Sequence, residues 1–381
     1  MRNLPISFKI FTIIFTKHFL RGINFMLIKQ ISILNEFHCT GAACSFNCCR
    51  GWKVPIDHDM YMKYLNEKGL FGTLLRCSIE KTEELVAFRS TPHGCPFWGF
   101  DHLCTMQKKH GTEYMPAVCI QFPRQLYNLE FFCEETLYLA CPESARLFLI
   151  SVLDKKPFDF TESEGTVTYD VNTTNDDREF LDYLLQSRDE LAELLRDGTP
   201  FDSMAFVEYG RDAQNACLSQ SPLPSPLDYT AEESYQIDFK KMNTLLFNGF
   251  YHPSLRTISP FLYRLCKKYL RRFGALRHTN PAAGEQKLTA LKKTLYQKMP
   301  YLDNLLNRYY EYFLYTDFLD VFEDYSFSKH LLYGIAKAHM LWLFLALYAE
   351  NRKQIGIDEI ARVIAVYERR APQIEEAMKL L

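Results

Sequence analysis

Cys39, Cys44, Cys48 and Cys49 fall within eleven residues of the chain, in the stretch Phe37 to Trp52. Ten of the twelve cysteines lie between Cys39 and Cys141, and only Cys217 and Cys266 follow in the remaining 240 residues. A thiolate is a soft metal ligand, so this asymmetry marks a metal-binding lobe before anything else. The adjacent pair Cys48 and Cys49 has no explanation in ordinary packing, and the two side chains leave any regular backbone in different directions. At most one of them easily reaches a given metal atom.

Three chemistries compete for these thiols. Structural zinc takes four N or S ligands, usually from paired C-x2-C knuckles, whereas the spacings here are C-x4-C, C-x3-C and an adjacent pair. An iron-sulfur cluster also takes four thiolates but tolerates irregular spacing and ligands from distant segments. Disulfides need an oxidising compartment. The apolar run Ile10 to Phe15, bracketed by Lys9 and Lys17, is too short for an export signal or a bilayer span. Iron-sulfur ranks first, zinc second and disulfides third, in a reducing cytoplasm. The candidate ligands are Cys39, Cys44, Cys48, Cys49, Cys95, Cys104, Cys119 and Cys141, four per cluster. Cys77 and Cys133 read as small buried residues.

The elements that must hold these residues form a mostly α fold, read as three parts. Residues 1–30 are basic, lack acids and read as an N-terminal extension, with the functional chain starting near Met26. Residues 31–150 form an irregular Cys-rich lobe whose fold depends on metal. Residues 151–381 form a multi-helix lobe. In the Cys-rich lobe, Asp57 or Asp59 caps a helix presenting Met60, Tyr64 and Leu65, and Ser90 to Pro96 is turn chemistry that delivers Cys95. The alternation in Pro157 to Val171 around Glu164-Gly165 predicts one short β-hairpin. Leucines at helical spacing follow from Phe180 to Leu195, and Ser219 to Asp228 reads as a low-complexity linker. From Pro260 the pattern is helix after helix. Met340 to Leu347 reads as a core helix, not a membrane span. Tyr301, Tyr309, Tyr310, Tyr312 and Tyr315 make a tyrosine-rich surface that core packing mostly explains, with some rings as candidates to line a cationic substrate's path, and His339 reads as a core histidine. The net charge of −2 and neutral pI give no bulk case for nucleic acid.

The order Phe37, Cys39, Gly41, Cys44, Cys48, Cys49, Gly51, Trp52, Val54, Ile56, Asp57 resembles the opening signature of the flagellin lysine-N-methylase (FliB) family. Later pieces agree with it: Cys95-Pro96-Phe97, Cys104, Cys119 before Phe122-Pro123-Arg124, and Cys141-Pro142-Glu143 before Ala145-Arg146-Leu147. A related set of Cys-rich zinc- or iron-chelating domains shares the cysteine pattern without the methylase activity. The resemblance implies N-methylation of lysine ε-amines by S-adenosyl-L-methionine in a protein carrying a 4Fe-4S cluster. Its implied partner is flagellin or another lysine-bearing protein. The alternative is a non-catalytic zinc/iron-chelating or redox-sensing protein.

No glycine-rich strand-to-helix loop is present, which argues against a doubly wound methyltransferase core. The C-x3-C-x2-C loop of radical enzymes is missing too, since Gly51 occupies the third position. Polar in-line transfer fits better, because an amine lone pair attacks a sulfonium methyl directly. A free lysine has a pKa of about 10.4, so presenting it neutral at pH 7 costs roughly 4–5 kcal/mol. Desolvation in an aromatic pocket reduces that cost. No catalytic base is identifiable. Trp52 is a candidate to stack on the donor, or an anchoring indole. Arg124 is a candidate to clamp the donor's carboxylate, or it pairs with Glu143. Asp57 reads as a helix cap before a base, and His38, His93, His102 and His110 as secondary ligand candidates.

Overall fold

The computed structural model describes residues 24–44, 48–50, 53–83, 85–89, 91, 94–129, 132–167 and 178–380. The fold is mostly α, as the sequence predicts. Six strands accompany the helices: β1 (Asn24–Ile31), β2 (Ile79–Lys81), β3 (Val86–Phe88), β4 (Arg124–Asn128), β5 (Phe132–Leu137) and β6 (Phe160–Val167). The chain divides into two compact units. One comprises residues 1–147, 160–172 and 253–260; the other comprises 148–159, 173–252 and 261–381.

The first unit contains a four-stranded sheet in the order β4-β5-β1-β6. The strand β1 runs parallel to β5 and antiparallel to β6, while β4 and β5 form an antiparallel hairpin. Two expectations change here. Residues 160–167 are one continuous strand and not a hairpin: Gly165 stands opposite Met26, in full register with β1. A Cβ on Gly165 would lie 2.4 Å from Ile28 Cδ1, so this glycine serves close side-chain approach across the sheet and not a turn. The predicted extension, for its part, enters the fold before its expected end. β1 begins at Asn24, occupies an interior position, and matches Lys29 with Glu162 at 3.4 Å and with the Phe132 ring at 4.7 Å. The basic residues at positions 1–23 lie outside the described residues.

Beside the sheet, residues 54–118 build a small core of their own from Val54, Ile56, Tyr64, Leu75, Ile79, Phe88, Phe97, Met106, Met115 and Val118. Burying such a set removes several hundred Å² of apolar surface at about 25 cal/mol per Å². The Cys-rich lobe thus has apolar cohesion that the metal-dependent reading did not include.

Among the described residues, the named elements of the second unit are helices. The helix Arg178–Arg196 buries the predicted leucine face, and Met204–Ser219 runs to the predicted linker, where Pro226 is itself buried. At the centre is Phe327–Ala349, apolar on nearly every side. It is the one helix among the described residues long and apolar enough to cross a membrane, and 94% of its apolar window is buried within the protein. Core packing accounts for the tyrosines: Tyr309, Tyr310, Tyr312 and Tyr315 are all buried, their rings packing on Phe148, Phe206 and Phe313. Helical spacing turned them inward along Leu302–Thr316. His339 is a core residue, as read, accepting from Trp342 Nε1 at 3.2 Å and facing Asp202 at 3.4 Å.

Candidate metal centre

The cap on the helix His58–Asn66 organises the site. Asp57 Oδ1 accepts from Met60 N at 2.9 Å, satisfying an otherwise unbonded first-turn N–H. Its other oxygen, Oδ2, accepts from Ala117 N at 2.9 Å, sixty residues on, at the start of the short helix Ala117–Gln121 that carries Cys119. One carboxylate therefore ties the start of two helices together. Cys104 caps a third, Thr105–His110, its sulfur accepting from Gln107 N at 3.5 Å.

Cys95 is brought in by its backbone, which donates to Cys49 O at 2.9 Å. That approach depends on Gly94, which has φ +107° and where a Cβ would stand 2.7 Å from Cys49 O. Cys48 and Cys49 place their sulfurs 3.9 Å apart. Cys95, Cys104 and Cys119 all pack against the apolar cluster of residues 54–118.

Five thiols from four segments, Cys48, Cys49, Cys95, Cys104 and Cys119, therefore act on one another. Contact with Cys48 pulls the Cys49 thiol down, but the hydrogen bond with Cys95, burial, and the charges of Cys95 and Cys104 outweigh it and push Cys49 to about 12. Burial raises Cys119 well above the usual thiol range, with Cys49, Cys48, Cys104 and Asp57 adding to it. Tyr64, which the sequence marks only as an apolar helix position, belongs to the same neighbourhood. Burial pushes its phenol up, and Cys119, Asp57, Cys95 and Cys104 push it further. Its hydroxyl donates to Tyr114 O and sits 3.7 Å from Met106 Sδ. Its signal in the sequence was a phenol at an inward position two turns after the cap.

The other candidate ligands lie elsewhere in the unit. Cys141 precedes the helix Pro142–Leu153; burial raises it, the N–H groups of Ser144 and Glu143 lower it, and Cys44 raises it again. Cys39 is exposed. Cys133 is buried in β5, as read, and pushed to about 12 by burial and by Glu135 and Glu134. Cys77 is exposed at the end of Gly69–Cys77, contrary to its reading as a buried residue, because the helix turns its last position to solvent.

Trp52 and His93 lie outside the described residues. Arg124 does not pair with Glu143: it lies on β4 at 3.4 Å from Glu135 of the neighbouring strand. Glu143 is taken by Arg146, one turn along its own helix, through bonds of 2.6 and 2.9 Å. The i, i+3 neighbour was nearer than the one across the sequence. His38 faces Glu36 O at 3.2 Å, His102 meets Trp98 edge-on, and His110 stacks on Phe71. Among the described residues, no three His, Cys, Asp or Glu side chains stand close enough together to grip a metal ion without rearrangement.

No protein-family model matches the chain, and no solved structure matches it. Curated relatives do. The flagellar biosynthetic protein FliU of Salmonella muenchen is 30% identical over 123 residues, a match covering 30% of this chain and 73% of FliU. The chain belongs to the lysine-N-methylase (FliB) family. The lysine-N-methylases of Salmonella typhimurium and Salmonella choleraesuis are each 29% identical over 127 residues, but this match spans only 31% of their own length. Within the FliB family, the similarity thus joins a segment of this chain to about a third of the named methylases.

Proposed function

We propose that the protein N-methylates lysine ε-amines of another protein, with S-adenosyl-L-methionine as donor and a thiolate-held iron-sulfur cluster in its Cys-rich unit. Flagellin is the substrate suggested by the relatives' flagellar and lysine-methylase names. The observation that carries the reading is the gathering of Cys49, Cys95, Cys104 and Cys119, with Cys48 alongside, in a chain of that family. Cys95 and Cys104 push Cys49 up, and Cys49, Cys48 and Cys104 push Cys119 up; such thiols are poor neighbours as anions, and a metal cation converts that repulsion into ligation. The donor set fits a cluster chemically: four soft ligands from four segments, on a common apolar support, with Cys48 as the alternative to Cys49.

Cys49, Cys95, Cys104 and Cys119 would hold the cluster, which would supply a polarisable iron-sulfur surface to the Cys-rich unit. The chain's own residues have other tasks. Both oxygens of Asp57 are occupied by backbone N–H groups, and Tyr64 is held protonated, so both position the thiol-bearing segments and neither serves as the base. Arg124 is engaged with Glu135 and would have to leave it to take the donor's carboxylate. In the transfer, the neutral amine attacks the sulfonium methyl carbon as the carbon-sulfur bond breaks. S-adenosylhomocysteine departs, and the methylated ammonium loses a proton to solvent or to a base.

The test is anaerobic purification followed by ultraviolet-visible spectroscopy, iron and sulfide analysis, and mass spectrometry of flagellin incubated with S-adenosyl-L-methionine. Expected are a broad absorbance near the charge-transfer region, iron and sulfide in equal amounts, and added methyl mass on flagellin lysines. Colourless, iron-free protein would remove the cluster, and iron without donor binding would leave the chelating alternative.

A further inference from the structure

Between Asp238 and Glu285 the chain has nine Lys or Arg residues and no acidic residue, in a protein whose net charge is −2. The remainder of the molecule is therefore markedly acidic. Within the second unit this basic stretch centres on the helix Pro260–Phe273, which carries Arg264, Lys267, Lys268, Arg271 and Arg272 at positions i, i+3, i+4, i+7 and i+8. The opposite side, Leu262, Leu265, Cys266, Tyr269 and Phe273, is buried. The cations therefore occupy the solvent side by necessity.

They are not all used internally. Lys268 and Arg272 both hold Glu350, and Lys268 also donates to Leu347 O at 2.6 Å. Arg264, Lys267 and Arg271 are exposed and enter no ion pair among the described residues; Lys267 only lies 5.6 Å over the Tyr263 ring. Arg362, on the helix Ile357–Glu368, extends the field where it lies over Phe261 at 5.2 Å. The three outward cations run along about 10 Å of helix at 1.5 Å per residue.

The geometry points to this face as a docking surface for an acidic segment of a partner protein, with Asp or Glu side chains at helical spacing. Glu350 shows the recognition in miniature, one carboxylate bridging two cations of the same helix. A membrane is disfavoured because the helix's apolar side is already consumed by the core. A nucleic acid longer than the patch would run onto a chain that is acidic overall. Charges separated by more than about 8 Å are largely screened at physiological salt, so a short acidic segment confined to the patch does not feel that repulsion.

The test uses the full chain and a fluorescein-labelled, ~20-residue helical peptide with Glu at i, i+4 and i+7 positions, against the same peptide with Gln. Fluorescence anisotropy is expected to show the Glu peptide binding at least about tenfold more tightly, with the difference lost near 0.5 M salt. The triple variant R264E/K267E/R271E abolishes the preference, R264Q/K267Q/R271Q weakens it, and circular dichroism stays unchanged in both. Equal binding of the two peptides, or a preference that survives in both variants, overturns the proposal. So does tighter binding of a short DNA duplex or of phosphatidylglycerol vesicles that the same variants eliminate, which would make the face a nucleic-acid or membrane site. None of these readouts depends on methyl transfer.

Discussion

The two units treat charge-bearing side chains in opposite ways. In the helical unit, buried charges are matched from within. Glu311 is fully buried and receives Arg196 at 2.8 Å together with Arg308. Lys337, also buried, has Asp317 and Glu368 each at 3.4 Å, while Tyr309 donates to Glu368 and Tyr367 to Lys337 O. Burial alone would lower the Lys337 pKa, and those carboxylates outweigh it and raise it. In the Cys-rich unit the gathered groups are of one kind: Cys95 and Cys104 make Cys49 harder to ionise, and Cys49, Cys48 and Cys104 do the same to Cys119. A set of opposite charges is complete; a set of like acceptors calls for a cation from outside. The contrast separates a region built for stability from one built to bind.

The widest gap between the units is expected from removing thiols. Cys49, Cys95, Cys104 and Cys119 all changed to Ser should reduce iron per chain at least about tenfold, as expected where metal binding is ligand-limited. Cys217→Ser should leave iron at the wild-type level. Equal loss at Cys217, measured by anaerobic metal analysis, would erase the distinction. Next is Lys337→Met, which leaves the buried Glu368 and the partly buried Asp317 without their cation. It should cost about 3–5 kcal/mol in chemical denaturation, with iron content per folded chain unchanged.

A smaller effect should follow from Asp57→Ala. Losing a capping carboxylate costs about 0.5–2 kcal/mol, and here two helix starts lose their acceptor. Iron should also be released faster to a chelator, with Asp57→Asn, whose amide keeps one of the two acceptor oxygens, restoring part of both properties. Normal release from a destabilised Ala variant would confine Asp57 to a structural role.

The mildest prediction concerns acid. His339 is held below its usual pKa by burial despite Asp202, so the folded protein binds this proton less readily than the unfolded chain. Its contribution is complete above the unfolded value of about 6.5 and declines as pH falls below it. Asp202 is itself lowered, since His339 outweighs burial, and its contribution is lost only as pH falls below about 3.9 toward its folded value. His339→Gln should flatten the decline between neutrality and pH 5 in urea titrations. An unaltered slope would reject the assignment.

How much of this was legible in the sequence depends on how local the governing interaction is. The cap at Asp57, the helix Pro260–Phe273 and the buried run through Met340 and Leu347 follow from spacing within a few residues, and all three stand. The pairing of β1 with β6 joins residues 129 to 143 positions apart, from Ile31 with Phe160 to Asn24 with Val167, and Glu164-Gly165 imitates a turn, so the strand was hidden behind a hairpin signal. The tyrosines of Leu302–Thr316 pack their rings in the core, the reading their helical spacing favoured. At the site, the cysteine types were plain, but their grouping was not. It rests on Asp57 reaching Ala117 and on Gly94 admitting Cys49, and neither contact has a periodic signature.

The apolar cluster behind the thiols is drawn wholly from residues 54–118. During synthesis, every side chain of that cluster and each of the five gathered cysteines has therefore left the ribosome while most of the helical unit is still untranslated. On the proposed iron-sulfur reading, loading of the nascent segment need not wait for the remainder of the polypeptide.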